Sequence, residues 1–273
     1  MRLMHNLNSL NIYREQNKVV SRQSAALRRI SSGYKINSAK ENPNAIASSE
    51  KMRIQIRGLQ MAQRNAQDGV SMLQTADGAL DNITSMLQRI RELTVQAGND
   101  SATIEDKKVI QEEINNLKQG IGDIIKNTQF NGVELLKGNK ILKMPIGANV
   151  GESVEIPISD LSPDKIGLDS IDVTTNTIDD NLDKIDEILD TVISKRSKYG
   201  ALLNRFESAY DKTGEIHDTI VGAESQIRDA DVAEEIMNFS RDNILIEAGN
   251  AMMVQSNKFP QEILRILENV KAK

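Results

Sequence analysis

The longest uninterrupted pattern in this 273-residue chain is a run of apolar residues at spacings of three and four between Met52 and Ile90. This spacing keeps the apolar side chains on one face of an α-helix. The run comprises Met52, Ile56, Leu59, Ala62, Ala66, Val70, Leu73, Ala76, Leu80, Ile83, Leu87 and Ile90. Because Asn42 and Pro43 supply a start signal, we expect one helix over about 44–98. Such a helix is roughly 80 Å long, which favours a coiled-coil-like rod over a compact domain.

Two further segments show the same helical spacing. Thr103, with Asp106 three residues later, marks the start of a helix that extends to about Asn127. After Thr177, apolar residues recur at helical spacing as far as Ile227. Three helices that each carry an apolar face can bury those faces against one another, so the sequence predicts a three-helix bundle and a mainly α fold.

Three isolated glycines, Gly58, Gly69 and Gly78, lie inside the longest predicted helix. Each costs about 1 kcal/mol relative to alanine in a helix. We therefore expect them to mark places where a neighbouring helix approaches closely, or alternatively where subunits touch or slide.

Both ends of the chain carry an apolar face of their own. Its members are Leu7, Leu10, Tyr13, Val20, Leu27 and Ile30 near the start, and Met237, Ile244, Ala248, Ala251, Phe259, Ile263 and Leu267 near the finish. We expect the two terminal helices to pair through these faces. Because two helices alone cannot bury both faces completely, copies of the same chain should supply the rest of the core. The terminal residues are thus the predicted self-assembly surface.

Helical spacing is absent from residues 128–176. Asn131 and Gly132 form a turn signal, and strand-like runs follow at 140–146 and 153–158. These features predict a small β-hairpin at about 128–160, which must pack on the helices because an isolated hairpin is only marginally stable.

Composition and motifs argue against catalysis. The chain has no cysteine, two histidines and 3% aromatic residues, so thiolate metal sites are excluded and a histidine site is disfavoured. The sequence contains no phosphate-binding loop, dinucleotide fingerprint, zinc-protease helix or nucleophile elbow. We therefore predict neither an enzyme nor a cofactor or metal site.

Membrane insertion and nucleic-acid binding are also disfavoured. No apolar run approaches the roughly 18 residues of a membrane-spanning helix, and the start of the chain lacks the apolar region of a cleaved secretory signal. Residues 1–35 carry seven basic side chains against one acidic side chain. These charges are scattered round the helix with no aromatic platform, so we expect no nucleic-acid partner.

Seven short segments of the chain form a recognisable series of motifs. They are residues 27–40 (LRRISSGYKINSAK), 56–59 (IRGL), 64–69 (RNAQDG), 87–93 (LQRIREL), 203–206 (LNRF), 227–231 (IRDAD) and 255–260 (QSNKFP). Together these segments closely resemble bacterial flagellin. The match follows the family's order along nearly the whole chain. The resemblance implies a structural subunit that self-assembles into the extracellular flagellar filament used for motility.

The resemblance also implies a domain organisation and a set of partners. Residues 1–43 and 231–273 would form an inner core domain of paired helices, and 44–230 an outer domain of three helices with the hairpin. Only about 160–177 could take the place of the family's variable outer domains, so the chain resembles a short form. The implied partners are further copies in a helical filament, a flagellar export chaperone, and the filament cap and hook-junction proteins. Export would proceed without a cleaved signal peptide.

A further implied partner is the host innate immune receptor for flagellin. The matching residues are Gln88, Arg89, Arg91, Glu92, Leu93 and Glu113. Arg89 would be the anchor, because a planar guanidinium on a rigid helix loses little entropy on entering a pocket. The alternative is that Arg89 and Arg91 pair with helix neighbours or contact an adjacent subunit, and both interpretations can hold together.

Two rival functions remain. The hook-filament junction protein of the same family resembles flagellin at both ends but differs between them, and residues 87–93 with the short hairpin favour flagellin. A membrane-binding or nucleic-acid-binding bundle would instead show strongly salt-dependent association with lipid or DNA.

Overall fold

The computed structural model describes residues 6–99 and 102–271. The described side chains are those of the same residues except 263, 264 and 266–271. The helices are α1 (Leu7–Ser32), α2 (Pro43–Ala97), α3 (Ile104–Asn127), α4 (Pro163–Ile166), α5 (Ile178–Arg228) and α6 (Val232–Lys271). The strands are β1 (Gln129–Phe130), β2 (Val133–Glu134), β3 (Lys140–Pro145) and β4 (Ser153–Ile158). The predicted mainly α class, the long central helix and the small hairpin are confirmed.

The helix starts follow the predicted capping residues. The Asn42 side chain accepts a hydrogen bond of 3.1 Å from the backbone N–H of Ala45 in the first turn of α2. At α3, Thr103 and Asp106 form a capping box, in which each side chain accepts from the backbone N–H of the other residue. The hydrogen bonds from Thr103 hold the pKa of the Asp106 carboxyl below its usual value. Satisfied N–H groups therefore define both starts.

The described residues group into two compact units. One contains the chain up to Ile54 together with the chain from Ile220 onward, and the other runs from Gln55 to Thr219. The predicted boundary after residue 230 lies in the break between α5 and α6, and the one after residue 43 lies one residue into α2, whereas the compact units divide deeper inside α2 and α5. The predicted boundaries stay a prediction.

The unit from Gln55 to Thr219 has a continuous apolar core. Most of its buried side chains come from α2, α3 and α5, as the helical spacing predicts, and the others come from β4 and from the segments at 135–136 and 161–173. The largest fully buried members include Leu73, Leu80, Ile83, Leu87, Ile90, Ile114, Ile121, Ile156 and Phe206. Each helix thus turns one apolar face inward and leaves its charged residues in water.

The three glycines of α2 differ in what surrounds them. A Cβ on Gly69 would lie 2.9 Å from Cε1 of Phe206 on α5, so this glycine does permit a close helix approach. A Cβ on Gly58 would lie 3.0 Å from Cβ of Ala148, which belongs to the hairpin loop rather than to a helix. A Cβ on Gly78 would meet no atom of the described residues within 4 Å, so the prediction of a close helix approach is wrong there.

The hairpin packs one face inward. β3 and β4 are antiparallel, and Leu142 lies opposite Ile156. Val154, Ile156 and Ile158 alternate along β4 and are buried. A second, smaller antiparallel pair joins β1 to β2 through Asn131 and Gly132, which both have positive φ, as the turn signal predicts.

The segment at 160–177 is more ordered than the sequence indicates. It contains α4 and a 3₁₀ turn, Leu168–Ser170, and it buries Leu161, Leu168, Ile171 and Val173. Buried Asn181 of α5 donates a 2.8 Å hydrogen bond to the carbonyl of Asp172. Sequence periodicity does not reveal this segment, because its elements are too short and its backbone is held by side chains from other helices.

Candidate assembly surface

The terminal helices α1 and α6 pack against each other in an antiparallel arrangement. Asn6 at the start of α1 lies against Ser256 and Asn257, and Arg29 near its end lies against Glu235 at the start of α6. The predicted pairing of the terminal helices is therefore confirmed.

A heptad pattern of burial defines the contact, which we call the α1–α6 seam. On α1 the buried or half-buried residues include Ser9, Ile12, Gln16, Val19, Gln23, Ala26 and Ile30, and on α6 they include Glu235, Phe239, Asp242, Ile246, Gly249, Met253, Ser256 and Pro260. The alternating steps of three and four are those of two helices that pack along a coiled-coil seam. A Cβ on Gly249 would lie 3.9 Å from the Gln16 side chain, so the helices are in ordinary contact there.

The seam is more polar than a typical helix pair. Gln16 Nε2 donates to Asn250 Oδ1 at 2.6 Å, and Gln23 Nε2 donates to Asn243 Oδ1. Asn6 Nδ2 donates to Asn257 Oδ1 at 3.0 Å. Amide pairs of this kind orient two helices but contribute less hydrophobic stabilisation than aliphatic side chains.

Two ion pairs lie at the end of the seam near the start of α6. Arg29 Nη1 and Glu235 Oε1 are 2.9 Å apart, and Arg22 Nη2 and Asp242 Oδ1 are 3.7 Å apart. Both carboxylates are buried, no described residue donates a hydrogen bond to Asp242 Oδ1, and Arg241 Nε of α6 lies 3.9 Å from the same oxygen. A buried carboxylate is strongly destabilised without a cation nearby, so these pairs discourage any arrangement that separates the arginines from α6.

The chain between α1 and α2 is bound to the break between α5 and α6. Lys35 N–H donates to the carbonyl of Arg228, and Ala230 N–H donates to the carbonyl of Gly33. The Arg228 guanidinium lies 4.7 Å from the centre of the Tyr34 ring. These contacts bring the end of α1 alongside the start of α6.

Most of the predicted self-assembly residues face away from the seam. Leu7, Leu10, Tyr13, Val20 and Leu27 of α1 and Met237, Ile244, Ala248, Ala251 and Phe259 of α6 are exposed. Ile30 is half-buried in the seam, and the side chains of Ile263 and Leu267 lie outside the described residues. The prediction that the two stripes face each other is wrong, because the helices pair through the heptad positions beside them, where amide and charged partners match.

Further exposed apolar residues extend this outer surface. Sequence reasoning pointed to Met252 as a packing residue between subunits but missed Ile236, Leu245 and Val254, and all four are exposed on α6. The signal for them is present, because the segment 244–254 contains only two polar residues, Glu247 and Asn250, and is apolar round most of the helix rather than along one stripe. A helix of that kind needs neighbours all round, and α1 covers only one side of it.

Among the described residues, no three histidine or acidic side chains are grouped so that they could hold a metal ion. No helix in the described part of the chain is long and apolar enough to cross a membrane.

Comparison with known proteins identifies the family. Residues 3–141 match the model of the bacterial flagellin N-terminal helical region, and residues 182–267 match that of the C-terminal helical region. A flagellin from Halalkalibacterium halodurans is 40% identical and aligns over 98% of this chain and 100% of its own length. This chain belongs to the bacterial flagellin family.

Two other matches widen the comparison. The flagellar filament 30.7 kDa core protein of Treponema maltophilum is 33% identical to this flagellin over 98% of the chain and 100% of that protein. The structure of a putative flagellar hook-associated protein from Vibrio parahaemolyticus has a TM-score of 0.59, with 14% identity, over 69% of the chain and 100% of that structure. At that identity the likeness concerns the fold alone.

A second surface contains the residues that flagellin resemblance assigns to an immune receptor. Gln88, Arg89, Arg91 and Glu92 are exposed on α2. Arg89 donates to Glu113 Oε1 at 2.9 Å through Nη2 and to Glu92 Oε2 at 3.2 Å through Nη1. These bonds, first of all those to Glu113, raise the pKa of the Arg89 guanidinium.

Two other features of this surface qualify the prediction. Arg91 pairs with Asp186 of α5 at 2.8 Å, so it helps to join two helices of the core unit. Leu93 is 2% exposed, so the structure places its side chain in the core instead of on the predicted receptor face. A leucine at that position of the α2 repeat faces inward, and its contribution to any surface contact is to fix the position of its neighbours.

Proposed function

We propose that this chain is the structural subunit of a bacterial flagellar filament and that it polymerises through the outer surfaces of α1 and α6. The observation that carries the proposal is the set of apolar residues that the α1–α6 seam leaves uncovered. Val20 and Leu27 of α1 are 42% and 51% exposed, and Met237 and Ile244 of α6 are 65% and 66% exposed. Contiguous apolar surfaces of this kind mark sites of protein association.

Homopolymerisation accounts for these surfaces better than binding of one partner molecule. The apolar residues lie on the outer sides of both helices, so several neighbours are required to cover them. Copies of the same chain present the same residues and can cover one another through repeated head-to-tail contacts, which build a helical polymer. The filament core protein among the relatives supports this reading.

Polymerisation of full-length variants tests the proposal. Val20→Asp with Leu27→Asp places two carboxylates on the outer surface of α1 and should prevent filament formation, because association would bury those charges. Gln67→Asp with Gln74→Asp is the control, since both residues are exposed and seven residues apart on α2, away from the proposed assembly surface. Negative-stain imaging at rising ammonium sulfate measures the outcome, and filaments from the Val20/Leu27 variant would refute the proposal.

Location and other partners follow from this role. We infer an extracellular filament used for motility, with export that requires no cleaved signal peptide. A flagellar export chaperone would cover the apolar surface of α6 before assembly, because that surface is exposed in a single chain. The filament cap and hook-junction proteins would contact the ends of the polymer. No specific observation favours the alternative role as a hook-filament junction protein, and the subunit role requires no enzymatic activity.

Receptor binding is a second proposal. Arg89 is exposed and is held in place by Glu113 and Glu92, so it is a preorganised anchor for a host innate immune receptor. Binding would exchange these ion pairs for contacts with the receptor.

A further inference from the structure

The polar residues of the α1–α6 seam form a regular series, which we call the amide ladder. Its rungs are Asn6 with Asn257, Gln16 with Asn250, and Gln23 with Asn243. The three asparagines of α6 follow one another at intervals of one heptad, and so do the two glutamines of α1. The two glutamines occupy seam positions of α1, where coiled coils normally place aliphatic residues, and each asparagine directly follows a seam position of α6, so the ladder runs along one edge of the seam.

The apolar part of the seam does not by itself determine which helix pairs with α1. Between the rungs, α1 contributes Ile12, Val19 and Ala26 to the seam, and α6 contributes Ile246 and Met253, all of them buried or half-buried. Aliphatic contacts of this kind lack direction and tolerate shifts and substitutes. In a polymer, the exposed apolar residues of neighbouring copies would compete for the same positions on α1.

The amide ladder removes that freedom. A leucine or methionine from a neighbouring copy seated over Gln16 or Gln23 would leave amide donors and acceptors without partners in a half-buried site, which is costly. In the observed antiparallel register, α6 offers Asn250 to Gln16 and Asn243 to Gln23. The backbone contacts of Lys35 and Ala230 bring the chain's own α6 to one end of α1, and the ladder extends the match along the helix.

We propose that the amide ladder is the pairing-specificity element of the terminal helices, which makes each α1 select the α6 of its own chain in one register. This selection keeps the apolar outer surfaces available for contacts between copies. The inference rests on the proposed assembly function and assigns to Gln16, Gln23, Asn243 and Asn250 a positioning role within it. Single polar residues that fix the register of coiled coils work by the same physical means.

Charge-swap variants of one rung test the proposal. Gln16→Lys with Asn250→Lys places like charges on the two members of the rung, and Gln16→Lys with Asn250→Glu places opposite charges there. The two full-length variants differ at only one residue. We expect the like-charge variant to lose polymer yield by at least about tenfold and the opposite-charge variant to regain most of the wild-type yield. Single variants Asn250→Lys and Asn250→Glu control for the added charge alone. Equal yields from the two double variants would overturn the proposal.

A cross-linking measurement separates this proposal from the assembly proposal. Because the chain has no cysteine, Val19→Cys with Ile246→Cys introduces a single thiol pair into the seam. In polymerisation buffer, a short thiol cross-linker should join the two helices within one chain in the wild-type and opposite-charge backgrounds. In the like-charge background, the cross-linker should instead join helices of two different chains, or give no cross-linked product. An unchanged product would refute the role of the ladder. Absence of filaments from the wild-type chain would refute the assembly proposal without affecting this result.

Discussion

A methyl group added at Gly69 should destabilise the core unit, whereas the same change at Gly78 should stabilise it. Both glycines lie in α2 and in its helical backbone. A Cβ added at Gly69 would lie 2.8 Å from Met144 Sδ and 2.9 Å from Phe206 Cε1, but a Cβ added at Gly78 would meet nothing within 4 Å. The two substitutions therefore share their effect on the helix and differ only in packing.

The magnitudes decide the sign at each site. Replacing glycine with alanine in a helix contributes up to about 1 kcal/mol to stability, and that is the whole effect expected for Gly78→Ala. Overpacking a core costs about 1–3 kcal/mol. Met144 is flexible and can move aside, but the Phe206 ring is fully buried and cannot move without opening the core. We therefore expect Gly69→Ala to be destabilised by up to about 2 kcal/mol relative to wild type.

Urea unfolding of the unpolymerised full-length chain measures this difference. Helicity followed by circular dichroism should give a midpoint for Gly69→Ala about 1 M below that of Gly78→Ala, at an m value of about 2 kcal/mol per M. The larger variant Gly69→Leu should widen the gap. If Gly69→Ala were as stable as Gly78→Ala, the close contact between α2, the hairpin and α5 would not exist as described.

The other predictions concern assembly, receptor binding and acid sensitivity. Deleting residues 235–273 should leave a helical, soluble chain, because the core unit keeps its own buried faces, and sedimentation should detect no polymer. Arg89→Ala should weaken receptor binding of the monomer by about 30-fold, or roughly 2 kcal/mol. Arg196→Ala is the control, because it removes the ion pairs with Asp77 and Asp81 and should leave the affinity unchanged. Equal affinities for Arg89→Ala and wild type would exclude Arg89 as the anchor. Thr103→Ala should lower the melting temperature most above about pH 4. The pKa of Asp106 is lowered in the folded chain, so its carboxylate contributes stability above its unfolded pKa, and that stability is lost as the pH falls through its folded pKa. A loss of melting temperature that does not change with pH would contradict this origin.

The sequence by itself determined the long helices and their inward faces. The positions from Leu59 to Ile90 that repeat every three or four residues are those that form the α2 core, because a helix turns such residues to one side wherever it is placed. The capping residues Asn42 and Thr103 determined where helices begin, since they act on N–H groups only two or three residues away. The Asn131-Gly132 turn was predictable for the same reason, since its backbone conformation depends on the two residues themselves.

Only the tertiary structure decided how these elements meet. The sequence did not distinguish the seam of α1 from its outer surface, because Ile12 and Tyr13 are both apolar and only the partners on α6 determine which of them is covered. The order within 160–177 depends on hydrogen bonds with Asn181 and Gln111 from other helices. Such contacts produce no repeating pattern of apolar residues in the sequence. Both Gly69 and Gly78 are isolated glycines inside a helical pattern, and the atoms that surround each one depend on where α5 and the hairpin pack. Local signals act through the chain itself, whereas packing depends on residues that are distant along it.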